Sequence, residues 1–336
     1  MYFIKSYVFS YILEKLPLIF SIVLFLLLYG LRTIQGGWEI KIDILKNERQ
    51  AIDQQITNFL PSPQAELLSG IILGNRKDLP GQLLLSLRDT STLHLVVVSG
   101  QNLSITAGFF LILSGLIGRK VAIIASFGTI IFYTILTGAQ IPVLRAALMV
   151  TLSFLAAFLG RQKDGLWVLI VTGGLLLLIS PKWLFDISFQ LSFLATFGVV
   201  AVAPIIFSFL KFMPKFISGD LSVTIGAQLM VIPVIAGYFH QISLVGIIAN
   251  LLVLWTIPYI MIIGILFILP ALLWTGLAEV LALILNILLN YFIYIVQFFS
   301  SFPFAWEYVG EQVPLVWIGY YLMLGSLLAI SKKWYD

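Results

Sequence analysis

The chain has 336 residues, of which 60% are hydrophobic and 10% charged, and its mean hydropathy is +1.07. A soluble domain carries about 25% charged residues, so a soluble fold would leave too little polar surface to face water. The absence of cysteine excludes a disulfide framework, a thiolate metal site and a cysteine nucleophile. The net charge of +4 is modest and, in a membrane protein, mainly reports orientation.

Continuous apolar runs of about 15–25 residues predict an all-α integral membrane protein, a polytopic helical bundle of about ten transmembrane helices with broken or kinked spans. The predicted spans are 14–31, 94–117, 120–138, 142–159, 165–180, 184–210, 221–239, 243–272, 275–300 and 314–331. Pro204, Pro258 and Pro270 lie inside apolar runs, where a proline removes a backbone donor and kinks the helix. Such breaks are tolerated in a membrane only where protein or a water-filled cavity satisfies the backbone.

Basic residues are concentrated in every second loop. Loops rich in lysine and arginine typically face the cytoplasm. With the N-terminus inside, the cytoplasmic loops contain Arg119, Lys120, Arg161, Lys163, Lys211, Lys215, Lys332 and Lys333. Only the loop at Pro181-Lys182 departs from the pattern. We therefore expect a multi-pass protein of the plasma (cytoplasmic) membrane with both termini in the cytoplasm.

The predicted organisation has three parts: a membrane anchor helix at 1–35, an extracytoplasmic amphipathic helical segment at 36–93 and a transmembrane domain at 94–336. The anchor is interpreted as uncleaved because no small-residue cleavage site follows its apolar run. Segment 36–93 is rich in charge and has apolar residues at helical spacing, with a second amphipathic helix from Gln64 to Leu73. Its helices are expected to lie on the extracytoplasmic face or to dock on the bundle.

The densest polar cluster flanks an apolar stretch of β-branched residues, and that stretch reads as a strand. Its members are His94, Ser99, Gly100, Gln101 and Asn102. Glycine is poor in a helix, and amide side chains compete for backbone groups. The cluster therefore predicts a broken span that faces a wet cavity, the alternative being a simple interfacial helix cap at Ser99.

Arg145 lies about one turn into its predicted span, beside Ala146 and Ala147, which allow close helix approach. Its guanidinium either faces an internal path or snorkels to the outer interface. Asn250 lies in another apolar run, where an interhelical hydrogen bond is the simplest explanation.

A third polar stretch combines Asp186 and Gln190 with two stripes at helical spacing. Phe185, Phe189, Phe193 and Phe197 make an aromatic stripe, beside hydroxyls at Ser188, Ser192 and Thr196. Aromatic faces can stack nucleic-acid bases without reading their sequence. The alternative is that phenylalanines pack against lipid while the hydroxyls bind their own helix.

The sequence offers little for catalysis. Its two histidines, His94 and His240, are far apart and lie in no zinc-binding motif, and no phosphate-binding P-loop occurs. No serine–histidine–aspartate arrangement can be assembled. We expect neither an enzyme nor a metal or other cofactor.

The same residues resemble the ComEC-type competence proteins, membrane channels for DNA uptake in bacterial transformation. The resembling segments are Leu67–Arg76, Leu93–Asn102, Arg145–Met149, Asp186–Phe193 and Asn250-Leu251. They cover about residues 60–270 in order. The resemblance implies that residues 94–336 form a competence-type channel domain through which one DNA strand passes. Family members also carry an oligonucleotide-binding-like domain and a metallo-β-lactamase-like nuclease domain, both of which are expected to be lacking here.

The resemblance implies single-stranded DNA as the substrate. It also implies a cytoplasmic ATP-driven translocase, an extracytoplasmic DNA receptor and a separate nuclease as partners, with a homo-oligomer possible. The residues expected to line the DNA path are His94, Ser99, Gly100, Gln101, Asn102, Arg145, Asp186, Gln190, Phe193 and Asn250. A transporter of a small solute or lipid-linked substrate is the first alternative. A membrane-embedded hydrolase and a structural assembly subunit are the others.

Overall fold

The computed structural model describes residues 21–36, 44–75, 78–96, 100–158, 164–311 and 314–333. Most of them are helical. The first nine helices are α1 (Ser21–Gln35), α2 (Lys46–Phe59), α3 (Gln64–Leu73), α4 (Gly81–Asp89), α5 (Leu93–Val96), α6 (Gly100–Ile112), α7 (Ser114–Ile117), α8 (Arg119–Leu136) and α9 (Ile141–Phe158). The others are α10 (Gly165–Ile179), α11 (Ile187–Phe197), α12 (Ala203–Phe209), α13 (Lys215–Phe239), α14 (Gly246–Leu254), α15 (Thr256–Leu273), α16 (Thr275–Ser300) and α17 (Pro314–Lys333).

The prediction of an all-α membrane protein is confirmed. Within the described ranges, five helical stretches are long and apolar enough to cross a membrane: Arg119–Leu136, Ile187–Phe209, Ile217–Phe239, Thr256–Leu273 and Thr275–Ser300. Shorter apolar helices accompany them, and many large apolar side chains project outward, as expected where lipid is the solvent. The count of ten spans stays a prediction.

Two predicted spans are interrupted close to their prolines. Residues 184–210 divide into a 3₁₀ turn at Pro181–Phe185, helix α11, a π-helical turn at Gly198–Val202, and helix α12. Pro204 has no N–H to donate to the carbonyl four residues earlier, which lies in the π turn. The span 243–272 breaks at Trp255, so that Pro258 falls in the first turn of α15, where a missing N–H costs little.

One local expectation was wrong. Of residues 95–98, read from their β-branched composition as a strand, the two that the structure describes, Leu95 and Val96, lie in the short helix α5. β propensity reports packing on a pleated surface, and no neighbouring strand is present in the described residues around α5 to provide one. The predicted break at Ser99 lies outside the described residues.

Two long-range contacts place loops on a common face of the bundle. Strands β1 (Gln241–Ser243) and β2 (Trp306–Tyr308) pair antiparallel, which brings the loops after α13 and after α16 together. Separately, the Arg32 side chain at the end of α1 donates to the carbonyl of Leu178 (2.8 Å) at the end of α10. Both pairings join loops that the basic-residue pattern assigns to the same side.

Helix α3 is the most enclosed element near the centre of the described bundle. All its residues are buried except Glu66, and it packs against α2, α15 and α16. Gly264 on α15 makes room for it, since an added Cβ there would lie 2.5 Å from Ile72 Cδ1. Although α3 has only 10 residues, the described core forms around it.

Candidate functional site

Arg145 is the buried cation at the centre of the candidate site. It lies on α9 with 9% of its surface exposed, and its Nη1 donates to the Ser192 carbonyl and to Thr196 Oγ1, both on α11. Among the described residues, its Nε has no hydrogen-bond partner. An unpaired guanidinium N–H in a low-dielectric interior is costly, so this group retains capacity to bind a polar ligand.

Gly100 allows the third helix to approach Arg145. A Cβ added at Gly100 would lie 2.9 Å from Arg145 Nη2 and 3.1 Å from the Ala146 Cβ. Helices α6, α9 and α11 therefore meet around one guanidinium, which we call the Arg145 seam (Gly100, Arg145, Ala146, Ser192 and Thr196). Small residues permit this contact, as they do generally between membrane helices.

Asn102 lies two residues beyond Gly100 but points away from the seam. It is 1% exposed, and its Nδ2 donates to the Ile71 carbonyl (3.0 Å) in the last turn of α3. Tyr133 on α8 lies beside it. Asn102 thus holds the C-terminal end of α3, where helix carbonyls lack internal donors.

The side chains of Asp186 and Gln190 form hydrogen bonds at the start of α11. The Asp186 carboxylate is the N-cap of α11 and accepts from Phe189 N at 3.0 Å, while Gln190 Nε2 donates to the Leu184 carbonyl at 3.0 Å. These bonds fix the start of α11, which positions Ser192 and Thr196 one and two turns later.

The aromatic stripe is not a continuous surface. Phe193 stacks on buried Phe189 with ring centroids 4.3 Å apart and packs on Gly173 of α10. Phe185 is 77% exposed and Phe197 39% exposed, at opposite ends. The middle of the stripe is therefore helix packing, and its ends face outward.

Two further predicted residues lie elsewhere. Asn250 on α14 donates to Thr224 Oγ1 on α13 (2.8 Å), and its own Oδ1 is buried without a partner. His94 on α5 is exposed, with its Nδ1 2.9 Å from the Ser91 carbonyl. The placement of Ser99 and of the Gln101 side chain lies outside the described residues. The structure thus groups Gly100 with Arg145, and leaves Asn102, Asn250, His94 and the start of α11 at separate positions.

A cleft that the sequence interpretation missed lies beside β1. Ser91, Gln228 and Ser243 line it with apolar residues of α13, and Gly246 closes it, since an added Cβ there would lie 3.0 Å from both Gln228 Nε2 and Ser243 Oγ. Ser91 has a positive φ of 55°, which turns the chain between α4 and α5. Gln228, an amide in an apolar run, was the available sequence signal.

The described residues hold no group of three or more histidine, aspartate or glutamate side chains suited to a metal. What they do offer inside the bundle is hydrogen-bonding chemistry: one guanidinium, several amides and hydroxyls. Such groups can bind polar ligands through hydrogen bonds.

Comparison with known proteins identifies relatives of this arrangement. The family described as Competence protein matches residues 71–334. ComE operon protein 3 of Bacillus subtilis (strain 168) is 30% identical over 231 residues, 67% of this chain and 29% of that protein. An uncharacterized protein, YcaI, of Escherichia coli (strain K12) is 30% identical over 225 residues, 61% of this chain and 29% of that protein. An uncharacterized protein of Aquifex aeolicus (strain VF5) is 30% identical over 165 residues, 49% of this chain and 38% of that protein.

The matched region thus spans less than a third of the first two relatives. No solved structure matches the chain.

Proposed function

Because this chain belongs to the competence protein family, we propose that it is a channel that conducts single-stranded DNA into the cytoplasm during natural transformation. The membrane setting follows from its apolar helices. The family match includes every residue of the Arg145 seam.

The observation that carries the proposal is the buried Arg145 seam itself. A cation inside a membrane-spanning bundle is expensive, by about 2.5–3.5 kcal/mol at a helix centre on insertion scales, and it usually marks a polar pathway. Arg145 is the meeting point of three helices and is held by a backbone carbonyl and one hydroxyl instead of a carboxylate. A passing phosphate can displace such neutral partners, because a charge-assisted hydrogen bond is about twice as strong as a neutral one.

A single strongly basic contact suits transport better than a basic groove does. Phosphate contacts dominate the affinity of proteins for nucleic acid, so a row of cations would trap the strand. In the proposed path Arg145 contacts phosphate. Phe193, Asn102 and Asn250 are packed or hydrogen-bonded within the protein in this conformation, and they reach the strand only after their helices move. His94, Ser99, Gln101, Asp186 and Gln190 complete the proposed lining, with the last two reaching the strand only after α11 moves.

Membership of the competence family supports the proposed partners. The driving force is assigned to a cytoplasmic ATP-driven translocase. An extracytoplasmic DNA receptor would deliver the strand, and a separate nuclease would remove its complement. Both termini of the chain are proposed to lie in the cytoplasm.

Transformation frequency in the native host tests the proposal. A deletion strain should lose uptake, the wild-type chain should restore it, and Arg145→Leu at matched membrane levels should not, because leucine offers phosphate no donor. Arg145→Lys should restore it partly, since lysine keeps the charge but loses the planar fork.

Thr129→Val is the matched control, because the Thr129 hydroxyl bonds only to the Ala125 carbonyl of its own helix among the described contacts. It should transform normally. Unchanged transformation after deletion, in a host shown to take up DNA, would refute the DNA channel and favour the transporter of a small solute or lipid-linked substrate.

A further inference from the structure

Helix α16 carries a polar stripe on an outward-facing flank. Glu279, Asn286, Asn290 and Gln297 are separated by 7, 4 and 7 positions, which at 3.6 residues per turn places all four within about 20° of one line along the helix. Glu279, Asn290 and Gln297 are exposed and Asn286 is half-buried. We call these four residues the α16 stripe.

The stripe is long enough to run through the hydrocarbon core of a bilayer. From Glu279 to Gln297 it extends about 27 Å, close to the hydrocarbon thickness, and Asn286 and Asn290 lie within about 4 Å of the helix midpoint. The end residues can reach headgroups, but the two asparagines cannot. Polar side chains at this depth normally face protein or a water-filled cavity rather than lipid.

Contacts among the described residues use only part of the hydrogen-bonding capacity of the two asparagines. Asn290 Nδ2 donates to Asn286 Oδ1 at 3.0 Å, and Gln64 at the start of α3 donates to Asn290 Oδ1. An amide has two N–H donors and two acceptor lone pairs. These bonds use one of the four positions of Asn286 and two of those of Asn290, so each amide keeps positions that no described contact uses.

We propose that the α16 stripe is the contact between two copies of this chain. Two copies in one membrane have the same orientation and are related by an axis along the membrane normal, so Asn286 meets Asn286 and Asn290 meets Asn290 at equal depth. Amides are self-complementary because each donates and accepts. The asparagines of a second copy can therefore be the hydrogen-bond partners of these asparagines. Interhelical amide bonds of this kind stabilise membrane-helix pairs.

The proposal goes beyond DNA conduction and does not depend on it. It also gives the interface a connection to the interior, since Asn290 links the stripe through Gln64 to the N-terminal end of α3.

Cysteine crosslinking in native membranes tests the proposal, with a background free of other cysteines. Asn286→Cys, and separately Asn290→Cys, should form a disulfide-linked dimer under mild oxidation, since paired positions at the interface bring the two Cβ atoms near the required separation. Ile287→Cys and Val280→Cys are matched controls on the same helix: their positions are 63% and 56% exposed but about 80–100° away from the stripe. They should not crosslink.

A second measurement separates the interface from local structural damage. Asn286→Leu with Asn290→Leu should lower the dimer association constant by about tenfold or more, since two interhelical amide contacts are lost. The readout is the dimer fraction against protein-to-lipid ratio, while Ile287→Leu leaves it unchanged.

Two results would overturn the proposal. One is equal crosslinking at all four positions, which would indicate random collision. The other is labelling of Asn286→Cys by a membrane-impermeant maleimide without dimer formation, because the stripe would then face water. Neither readout involves transformation, so failure here leaves the channel proposal standing.

Discussion

Arg145 joins three helices, and among the described residues it does so through hydrogen bonds and close packing and not through an ion pair. Its guanidinium reaches Ser192 and Thr196 on α11, and it lies against Gly100 on α6. The position of the guanidinium is therefore sensitive to the size of residue 100, because no space remains for a methyl group there.

Gly100→Ala should reduce both the stability of the bundle and the proposed activity. The added Cβ would lie 3.1 Å from the Ala146 Cβ and push Arg145 from its partners on α11, and overpacking of this kind costs about 1–3 kcal/mol. We expect a lower thermal unfolding midpoint in detergent and reduced transformation.

Gly108→Ala on the same helix is the control, since an added Cβ there meets nothing within 4 Å. It should leave the protein unchanged or slightly stabilised, because alanine favours a helix by about 1 kcal/mol over glycine. Equal effects of the two substitutions would show that helix propensity, and not the contact with Arg145, decides the outcome.

At the scale of elements, α3 is held by amide side chains at both ends. Asn290 accepts from Gln64 at its start, while Asn102 binds the Ile71 carbonyl and Gln140 Nε2 approaches the Gly74 carbonyl (3.5 Å) at its end. A short helix inside a membrane protein needs such partners because its terminal carbonyls and N–H groups would otherwise face a medium without water.

Asn102→Leu should loosen α3 selectively. It removes the donor to a buried carbonyl, which costs about 1–3 kcal/mol, and leucine is similar enough in size to preserve packing. Amide hydrogen exchange of Gln64–Leu73 should accelerate, while α13 keeps its protection.

Thr129→Val again serves as the reference for exchange. If α3 in the Asn102→Leu variant exchanges as slowly as in this reference, the Asn102 bond is not what anchors it.

At the scale of the whole molecule, the contacts between loops agree with the side of the membrane that the basic residues predict for each loop. Arg32 meets the end of α10, and β1 pairs with β2, in each case between loops that the basic-residue pattern assigns to one face. Arg119 and Lys120, the first two residues of α8, belong to the opposite face on the same pattern.

Lys120→Cys and Glu307→Cys should therefore be labelled from opposite sides of the membrane. Both positions are exposed, and the chain has no other thiol. In intact cells stripped of any outer barrier, an impermeant maleimide should modify Glu307→Cys at once and Lys120→Cys only after lysis. Labelling of both before lysis would contradict the ten-span topology with cytoplasmic termini.

The sequence by itself determined that lipid surrounds this protein and that its fold is a helical bundle. Too few charges to cover a soluble surface, together with continuous apolar runs, admit only a lipid-solvated helical bundle. It also located the irregular backbone near Pro204 and Pro258, because the missing proline N–H is a local property. The resemblance to the competence family was also visible in the sequence alone, and the family match confirms that resemblance.

Only the tertiary structure decided which polar groups meet. Helical periodicity places Arg145, Asn102 and Asn250 on faces of their own helices, but it does not state which helix lies opposite. The pairing of Arg145 with α11, and of Asn102 with α3, depends on packing between segments distant in sequence. Likewise, hydropathy does not predict that a helix of 10 residues is enclosed by other helices. Helix α3 is buried within the bundle because neighbouring helices cover its sides and amides satisfy its ends.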